Sequence, residues 1–408
     1  MIYLDHAATT PVSDEVLAAM LPYFSDKFGN PSSIYALGRE AKDAVNTSRE
    51  TVAELLGASP SEIIFTSGAT ESSNLALKGV CQTAGGILRN TPHVIVSSVE
   101  HHCVLDSAKY LNKSYGVDVT YLPVNKEGLV NPADVADAIR DNTAIVSVMF
   151  GNNETGAIEP ISEIGSIIQK AKDKRQKDGN KLPLVFHTDA VQAFQYLDTN
   201  VDKLGVDMLS LTAHKFYGPK GVGLLYARKG TKFSAQQQGG AQERGMRAGT
   251  ENVPYIVGMA TAMEEAKKHL TFNFKHSTQL RDYLIERVTT EIPEVELIGP
   301  SFTRHSREGG NPDNRLPHIA AFLFKRIEGE SILINLDMVG IAASSGSACT
   351  SGSLEPSHVT KAMGFADMDA HGAIRFSLGK MNTKADIDEL MKHLPGIVEK
   401  LRAMSPIK

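Results

Sequence analysis

The sequence predicts an α/β fold whose main sheet is mostly parallel. From about residue 60, short β-branched runs alternate with amphipathic, helix-like stretches, which is the rhythm of strand–crossover–strand units. Clusters of polar residues stand immediately after those runs, where open parallel sheets bind their ligands. After about residue 256 the alternation gives way to long helical stretches with fewer strands. A second, smaller domain is therefore expected, as is usual for chains longer than about 300 residues.

The runs read as strands are EIIFT (62–66), HVIVSSV (93–99), VDVTYLPV (117–124), TAIVSVMF (143–150), PLVFHT (183–188), VDMLSLT (206–212) and GVGLLYA (221–227). Each is short, rich in β-branched or large apolar residues, and bounded by turn formers. SEIGSIIQKAKDKRQ (162–176) has helical character. SRETVAELLG (48–57) reads as a helix end stopped by Gly57, because glycine takes the left-handed terminal conformation without strain. The larger domain is expected over residues 13–255, and the smaller over 1–12 and 256–408. Residues 300–317, PSFTRHSREGGNPDNRLP, hold turn formers and charges without an apolar period, and read as an exposed loop.

Composition excludes several classes. Of 408 residues, 42% are hydrophobic and 22% charged; the net charge is −5, with no basic cluster, so neither nucleic acid nor a membrane surface is an expected partner. A spanning helix needs about 20 apolar residues, and the apolar stretches are far shorter. MIYLDHAATTP lacks the basic start and apolar run of a signal peptide, so a cytoplasmic protein is expected. Cys81, Cys103 and Cys349 stand far apart with no CxxC pair. That pattern indicates neither disulfides nor an intrinsic metal site.

The strand ends carry the chemistry. SGATES (67–72) follows the first run, and Glu100-His101-His102 follow the second. GNNETG (151–156) follows the fourth, Asp189 to Gln192 the fifth, and Ala213-His214-Lys215 the sixth. Each group has a use if the ligand is pyridoxal phosphate. Backbone N–H groups and the Thr70 hydroxyl could hold a phosphate at a helix start. Asp189, emerging from an apolar run, needs a cation, which a protonated pyridine nitrogen supplies. Lys215 is the candidate Schiff-base lysine, His101 could stack on the ring, and Gln192 could bond its hydroxyl. Taken singly, each has an ordinary reading too: Asp189 as a turn aspartate, SGATES as a helix start, His-Lys as a solvated turn. Convergence on one sheet edge favours the set.

Those residues, with YLDHAATTP (3–11), FGNPSS (28–33), FTSGATES (65–72), NNETG (152–156), HTDAVQA (187–193), ERGMRAGTEN (243–252), SSGSACTSGSLEPSHV (344–359) and HGAIRFSLG (371–379), resemble the class I cysteine desulfurases of the NifS/IscS group over nearly the whole chain. The resemblance implies pyridoxal-phosphate-dependent fold type I, aspartate aminotransferase-like, with a seven-stranded large domain and a smaller α+β domain. It implies that Lys215 binds the cofactor covalently, that Asp189 meets the ring nitrogen, and that His101 stacks and shuttles protons. Gln192 and Asn153 would approach the ring oxygen, while Ala69, Thr70, Thr212 and His214 would bind the phosphate. Thr250 would reach the phosphate of a neighbouring subunit, making a homodimer. Arg375, with Asn153 beside it, would grip the substrate carboxylate, a task suited to the guanidinium fork; from the residues alone it would read as a structural ion-pair partner.

Cys349 lies in SSGSACTSGS, a run of small polar residues, unlike the apolar setting of Cys103; Cys81 and Cys103 are assigned to packing. On residues alone, Cys349 reads equally as a chance thiol or a nucleophile, since attack requires only that it ionise. The resemblance makes it the nucleophile that takes sulfur from L-cysteine, leaves alanine and keeps a persulfide. The partners implied are L-cysteine and an iron–sulfur scaffold or other sulfur acceptor, with Cys349 able to contact a nascent cluster. Three departures stand out: a longer loop near 300–310, Thr212 where serine is frequent, and a chain ending at SPIK (405–408), which puts scaffold docking through a C-terminal tail in question. Another lyase or transaminase of this fold would leave the Cys349 loop without purpose. A sulfur-relay protein that only binds would have no need of Lys215, Asp189 and His101.

Overall fold

The computed structural model describes residues 1–88, 91–301, 314–345 and 356–405. Cys349 and most of the 300–310 loop thus lie outside the described residues.

All seven runs form one sheet. Its strands are β2 (Ile63–Thr66), β3 (His93–Ser97), β4 (Asp118–Leu122), β5 (Thr143–Ser147), β6 (Val185–Asp189), β7 (Met208–Thr212) and β8 (Gly223–Ala227), after a short N-terminal β1 (Ile2–Tyr3). The spatial order is β2-β8-β7-β6-β5-β3-β4. β7, β6, β5, β3 and β4 run parallel, while β8 is antiparallel to both β7 and β2. Several runs are trimmed at their ends for local reasons. Pro123 has no N–H to continue β4. Met149 N–H turns away from the ladder after β5 to donate to the Glu100 carboxyl at 2.5 Å.

Alternate residues of one strand enter different cores, as strand pleating dictates. Val94 and Val96 pack with Leu75, Leu77 and Leu105 on one face. Ile95 packs on the other face with Val45, Val52 and Met259. Both faces are buried, which is why the runs were nearly continuous in apolar residues. The helix Ala36–Leu56 ends at Gly57 with φ 70°, as its position predicted.

A second sheet, all antiparallel, has the order β12-β13-β10-β9, from β9 (Val295–Ile298), β10 (Ile319–Phe324), β12 (Ser344–Ser345) and β13 (Ala373–Ser377). Its core holds Phe322, Phe324 and Phe376 with Leu284 and Leu390 from the helices Leu270–Glu291 and Lys384–Met404. β1 pairs in parallel with β11 (Ile341–Ala342), and Leu4 joins this second core whereas Ala7 joins the first. The N-terminal segment thus crosses between the two bodies. Val253, Ile256 and Met259 of the helix Val253–Lys268 belong to the first core, and Leu280 and Leu284 of the next helix to the second. We therefore propose that the division after the large domain falls near His269 rather than at 255/256. Among the described residues no helix is long and apolar enough to cross a membrane.

Candidate active site

A cavity of about 550 Å³ opens at the carboxyl edge of the large sheet, lined by Ala69, Thr70, His101, Asn153, Asp189, Gln192, Thr212, His214, Lys215 and Arg375. Ten residues expected from the sequence therefore meet in one space. Its size suits a cofactor with a small substrate. Thr250 is exposed and is not part of this wall, and Cys349 lies outside the described residues.

Lys215 follows β7 on a single 3-10 turn. Its Nζ donates to the carbonyls of Ala7 and Ala8 at 2.6 and 2.8 Å. The same N-terminal segment is held by Gln192, whose Nε2 donates to Ala7 O at 3.0 Å and whose Oε1 faces His318 Nε2 at 3.2 Å. Because an amide oxygen only accepts, His318 carries its proton on Nε2, and it stacks on Tyr196 with centroids 4.2 Å apart. An irregular stretch at the start of the chain thus lines the floor of the cavity.

Asp189 ends β6, buried. Burial pushes its carboxyl up to about 6, against the pull of Val191 N–H, the Lys215 charge and the Cys103 thiol. Cys103 Sγ lies 3.9 Å from Asp189 Oδ2. Its thiol is held well above its ordinary value, first by burial and then by the Asp189 charge. The expectation that Cys103 serves packing alone is thus incomplete, since it also lines the cavity. His101 caps the helix His102–Tyr115, its Nδ1 accepting from Cys103 N–H at 3.2 Å. That leaves the ring proton on Nε2. Burial, then the charge of Lys215, lowers His101 to about 4, so the ring is neutral at pH 7. Beside it Glu100 is fully buried; burial, reinforced by Asp189, holds it far above the usual carboxyl range.

At the other end, the helix Ala69–Leu88 starts directly from the loop after β2. Gly223 of β8 permits this approach: a Cβ there would sit 2.6 Å from Gly68 Cα and 2.5 Å from Leu211 O. Glu71 accepts from Ser67 N–H at 2.8 Å and pairs with Arg247 at 2.9 Å. His214 Nδ1 meets Thr9 Oγ1 at 3.1 Å. The Thr212 hydroxyl donates to Val222 O at 3.1 Å. The segment carrying Thr250 is anchored by buried Glu243, which takes both Arg49 nitrogens at 2.7 Å and Phe65 N–H at 3.1 Å.

The end of the cavity nearest Arg375 is built from the loop after β5 and from β13. Asn152 shapes the loop, its Oδ1 accepting from the N–H groups of Glu154 and Thr155 at 2.8 and 2.9 Å. Arg315, fully buried, clamps the loop to the second sheet by donating to Thr155 O at 3.0 Å and Ile298 O at 2.7 Å. Arg375 Nη1 donates to Asn153 O at 2.8 Å, and Nη2 to Asp5 Oδ1 at 2.7 Å. Its Nε is buried without a partner among the described residues. Glu154, absent from the sequence expectations, lines the cavity and accepts from Ser357 Oγ at 2.5 Å. Burial pushes Glu154 up to about 7, the Ser357 hydroxyl and the Arg375 charge opposing.

This donor set fits pyridoxal phosphate. A positive ring nitrogen would offset the burial of Asp189, a primary amine stands at Lys215, and a helix start with two threonines and a histidine lies where a phosphate would be held. Among the described residues no group of three or more His, Cys, Asp or Glu side chains is placed to hold a metal.

A family model described as aminotransferase class-V matches residues 2–390. The cysteine desulfurase IscS of Dictyoglomus turgidum is 48% identical over 407 residues, covering 100% of this chain and 97% of that protein. The cysteine desulfurase IscS of Methanosarcina thermophila is 48% identical over 406 residues, with 100% and 94% covered. Among solved structures, a NifS-like protein matches with a TM-score of 0.86 at 37% identity, covering 98% of this chain and 100% of that one. SspA in complex with cysteine matches with a TM-score of 0.76 at 37% identity, covering 94% and 100%.

Proposed function

The chain belongs to the class-V aminotransferase family, among its pyridoxal-phosphate-dependent cysteine desulfurases, and from that premise we propose that its cavity moves the sulfur of L-cysteine to Cys349 and releases L-alanine. The observation that carries this reading is the convergence of Lys215, Asp189, His101 and Arg375 on one cavity. The chain flanking Cys349 is anchored at that same cavity, Ser344 being paired with Arg375 and Ser357 bonded to Glu154.

The cofactor, when bound, supplies an electron sink for charge that develops on the substrate carbons. Asp189 would hold the ring nitrogen, Lys215 would be the covalent attachment point, and Ala69, Thr70, Thr212 and His214 would hold the phosphate. Gln192 and Asn153 would approach the ring oxygen. Arg375, with Asn153 beside it, grips the substrate carboxylate and so fixes which substrate bond faces the nucleophile. Lys215 Nζ and neutral His101, with its Nε2 proton, move protons at the substrate carbons. Cys349 as thiolate forms a bond to the substrate sulfur while the sulfur–carbon bond breaks. The product carbon takes up a proton, and Cys349 keeps the sulfur as a persulfide.

Two further elements belong to this proposal. The protein works as a homodimer, with exposed Thr250 reaching the phosphate of a neighbouring subunit. The persulfide is passed in the cytoplasm to an iron–sulfur scaffold or another sulfur acceptor, and Cys349 can contact a cluster being built there. The test is alanine formation from cysteine by the loaded protein, with sulfide released under reductant. Loaded protein that makes no alanine from cysteine would refute the proposal.

A further inference from the structure

The chain folds back just past Lys215, and one residue of that turn is strained. Gly218 N–H returns to Ala213 O at 3.0 Å, and a Cβ on Gly218 would sit 2.7 Å from Ala213 Cβ, so the turn closes tightly with Lys215 inside it. Tyr217 takes φ 65° to complete it, a left-handed conformation that a large L side chain rarely adopts. Such a residue keeps that conformation only where its surroundings impose it. Here the N-terminal segment imposes it. Ser13 N–H donates to Tyr217 O at 3.0 Å, and Tyr217 N–H donates to the Thr10 hydroxyl at 2.7 Å. The same hydroxyl donates to His214 O at 3.1 Å, a carbonyl that also accepts from Thr10 N–H at 2.9 Å.

Thr10 is therefore a buried clasp across the turn. A hydroxyl has one proton to give and lone pairs to receive, so its single oxygen serves the residue before Lys215 and the second residue after it. The lysine side chain has a tether of its own, the carbonyls of Ala7 and Ala8. That tether needs two N–H groups on Nζ. A nitrogen joined to the cofactor as an imine keeps at most one, so it cannot serve both carbonyls. The Thr10 clasp is made to main-chain groups and does not involve Nζ, so it persists when the amine is engaged. The four-carbon stem of lysine is flexible, which makes the place of the turn decisive for where Nζ can reach.

We propose that Thr10 is a positioning residue for Lys215, its hydroxyl holding His214 O and Tyr217 N–H so that the strained turn keeps the amine facing the cofactor. This rests on Lys215 being the attachment point, as proposed above.

The test compares Thr10→Val, which keeps the side-chain shape without the hydroxyl, and Thr10→Ser, which keeps the hydroxyl, in cofactor-loaded protein. Loaded protein is saturated with alanine, whose amine takes the place of Lys215 on the cofactor, and is then diluted sharply. The return of the lysine-bound absorbance reports how quickly Nζ re-forms its bond as the alanine amine leaves. In Thr10→Val that return should slow roughly ten- to hundred-fold, the range for losing two neutral hydrogen bonds. The pH at which the lysine-bound absorbance changes should also move, by roughly half a unit or more, because the nitrogen sits differently among the charges of the cavity. A residue that served stability alone would move neither. Thr10→Ser should restore both. A wild-type return rate and pH in Thr10→Val would overturn the inference, as would a Thr10→Ser protein no better than Thr10→Val. Should Thr10→Val not fold, Thr10→Ala, also without the hydroxyl, carries the same expectations, and loss of the fold in both would overturn the inference by making Thr10 a stability residue. Borohydride fixing the cofactor of wild type to a lysine other than Lys215 would instead overturn the reading on which this one rests.

Discussion

Arg375 and Asp5 form a buried ion pair, Nη2 to Oδ1 at 2.7 Å, with side chains 3% and 17% exposed. The guanidinium proposed to grip a substrate carboxylate therefore already holds a carboxylate of the protein. Asp5 sits at the start of the segment whose Ala7 and Ala8 carbonyls receive Lys215, so a single stretch orients the lysine and the arginine together. Asp5→Asn removes the carboxylate that pairs directly with the buried guanidinium. It should cost about 1–3 kcal/mol of stability, and a bound carboxylate should restore part of that. Thermal melts with and without alanine should show a larger alanine-induced rise in the variant. Equal rises would remove Asp5 from the substrate end.

Lys215→Ala should abolish covalent attachment of the cofactor and alanine production. Borohydride treatment of wild type should fix the cofactor to the peptide holding Lys215, and the variant should carry no such label. A reducible linkage surviving in the variant would put the attachment on another lysine.

Much of this site was legible in the sequence because its residues stand at strand ends, and the strands announce themselves. A sheet buried on both faces leaves unbroken apolar runs, and the polar residues just beyond each run stand out against them. The contacts that orient those residues were not legible, because they close over long separations. Asp5 and Arg375 are 370 residues apart, and Glu154 and Ser357 are 203 apart. Residues 300–317 read as an exposed loop, but Arg315, Leu316 and Pro317 at its end are buried, and no local pattern says that the Arg315 guanidinium clamps the loop after β5. Cys103 was assigned to packing from its apolar neighbours, and it does join a buried apolar cluster, but helical geometry also turns its sulfur toward Asp189. Most of the helix Val253–Lys268 was grouped with the small domain because the strand–helix alternation stops near 256, whereas its Val253, Ile256 and Met259 pack in the first core.

Asp189→Asn should keep the fold and lose most activity in protein verified as fully loaded. A neutral amide cannot hold the ring nitrogen protonated. One charge-assisted hydrogen bond is worth about 1.5–3 kcal/mol, roughly ten- to hundred-fold in rate, and weaker electron withdrawal adds to that. Turnover close to wild type would count against the assignment.

Glu159 supplies a pH test independent of catalysis. It is buried, its Oε2 accepts from Val130 N–H at 2.9 Å, and its Oε1 has no partner among the described residues. Burial pushes it from the usual 4.5 up to about 8. A carboxyl raised on folding is favourable below its unfolded value, and that advantage is lost as pH climbs through the folded value. Between pH 6 and 9 this group alone should remove roughly 2–3 kcal/mol from the folded protein. Glu159→Gln keeps an acceptor for Val130 and has no charge to bury. The gap between variant and wild type in denaturant midpoint should widen in the variant's favour from pH 6 to pH 9. Parallel curves over that range would mean that Glu159 stays neutral or is solvated.

The decisive variant for the sulfur step is Cys349→Ser. It leaves Lys215, Asp189, His101 and Arg375 in place, so the protein should load its cofactor and still respond to cysteine by a change in absorbance. It should then make no alanine, because a serine hydroxyl at neutral pH is a poor nucleophile toward sulfur and cannot store a persulfide. The other two thiols serve as internal comparisons. Burial pushes Cys81 up to about 12, which keeps it a thiol, so Cys81→Ala should retain activity apart from a small packing loss. Cys103→Ala removes the thiol contact to Asp189 and should slow turnover modestly, with sulfur still arriving on Cys349. Mass spectrometry of wild type after brief exposure to cysteine should find about 32 Da, one sulfur atom, on the Cys349 peptide alone. Sulfur found only on the Cys81 or Cys103 peptide, or a Cys349→Ser protein that makes alanine at the wild-type rate, would move the acceptor elsewhere. The chemistry would then be that of a lyase of the same fold that releases sulfur without first bonding it to the protein.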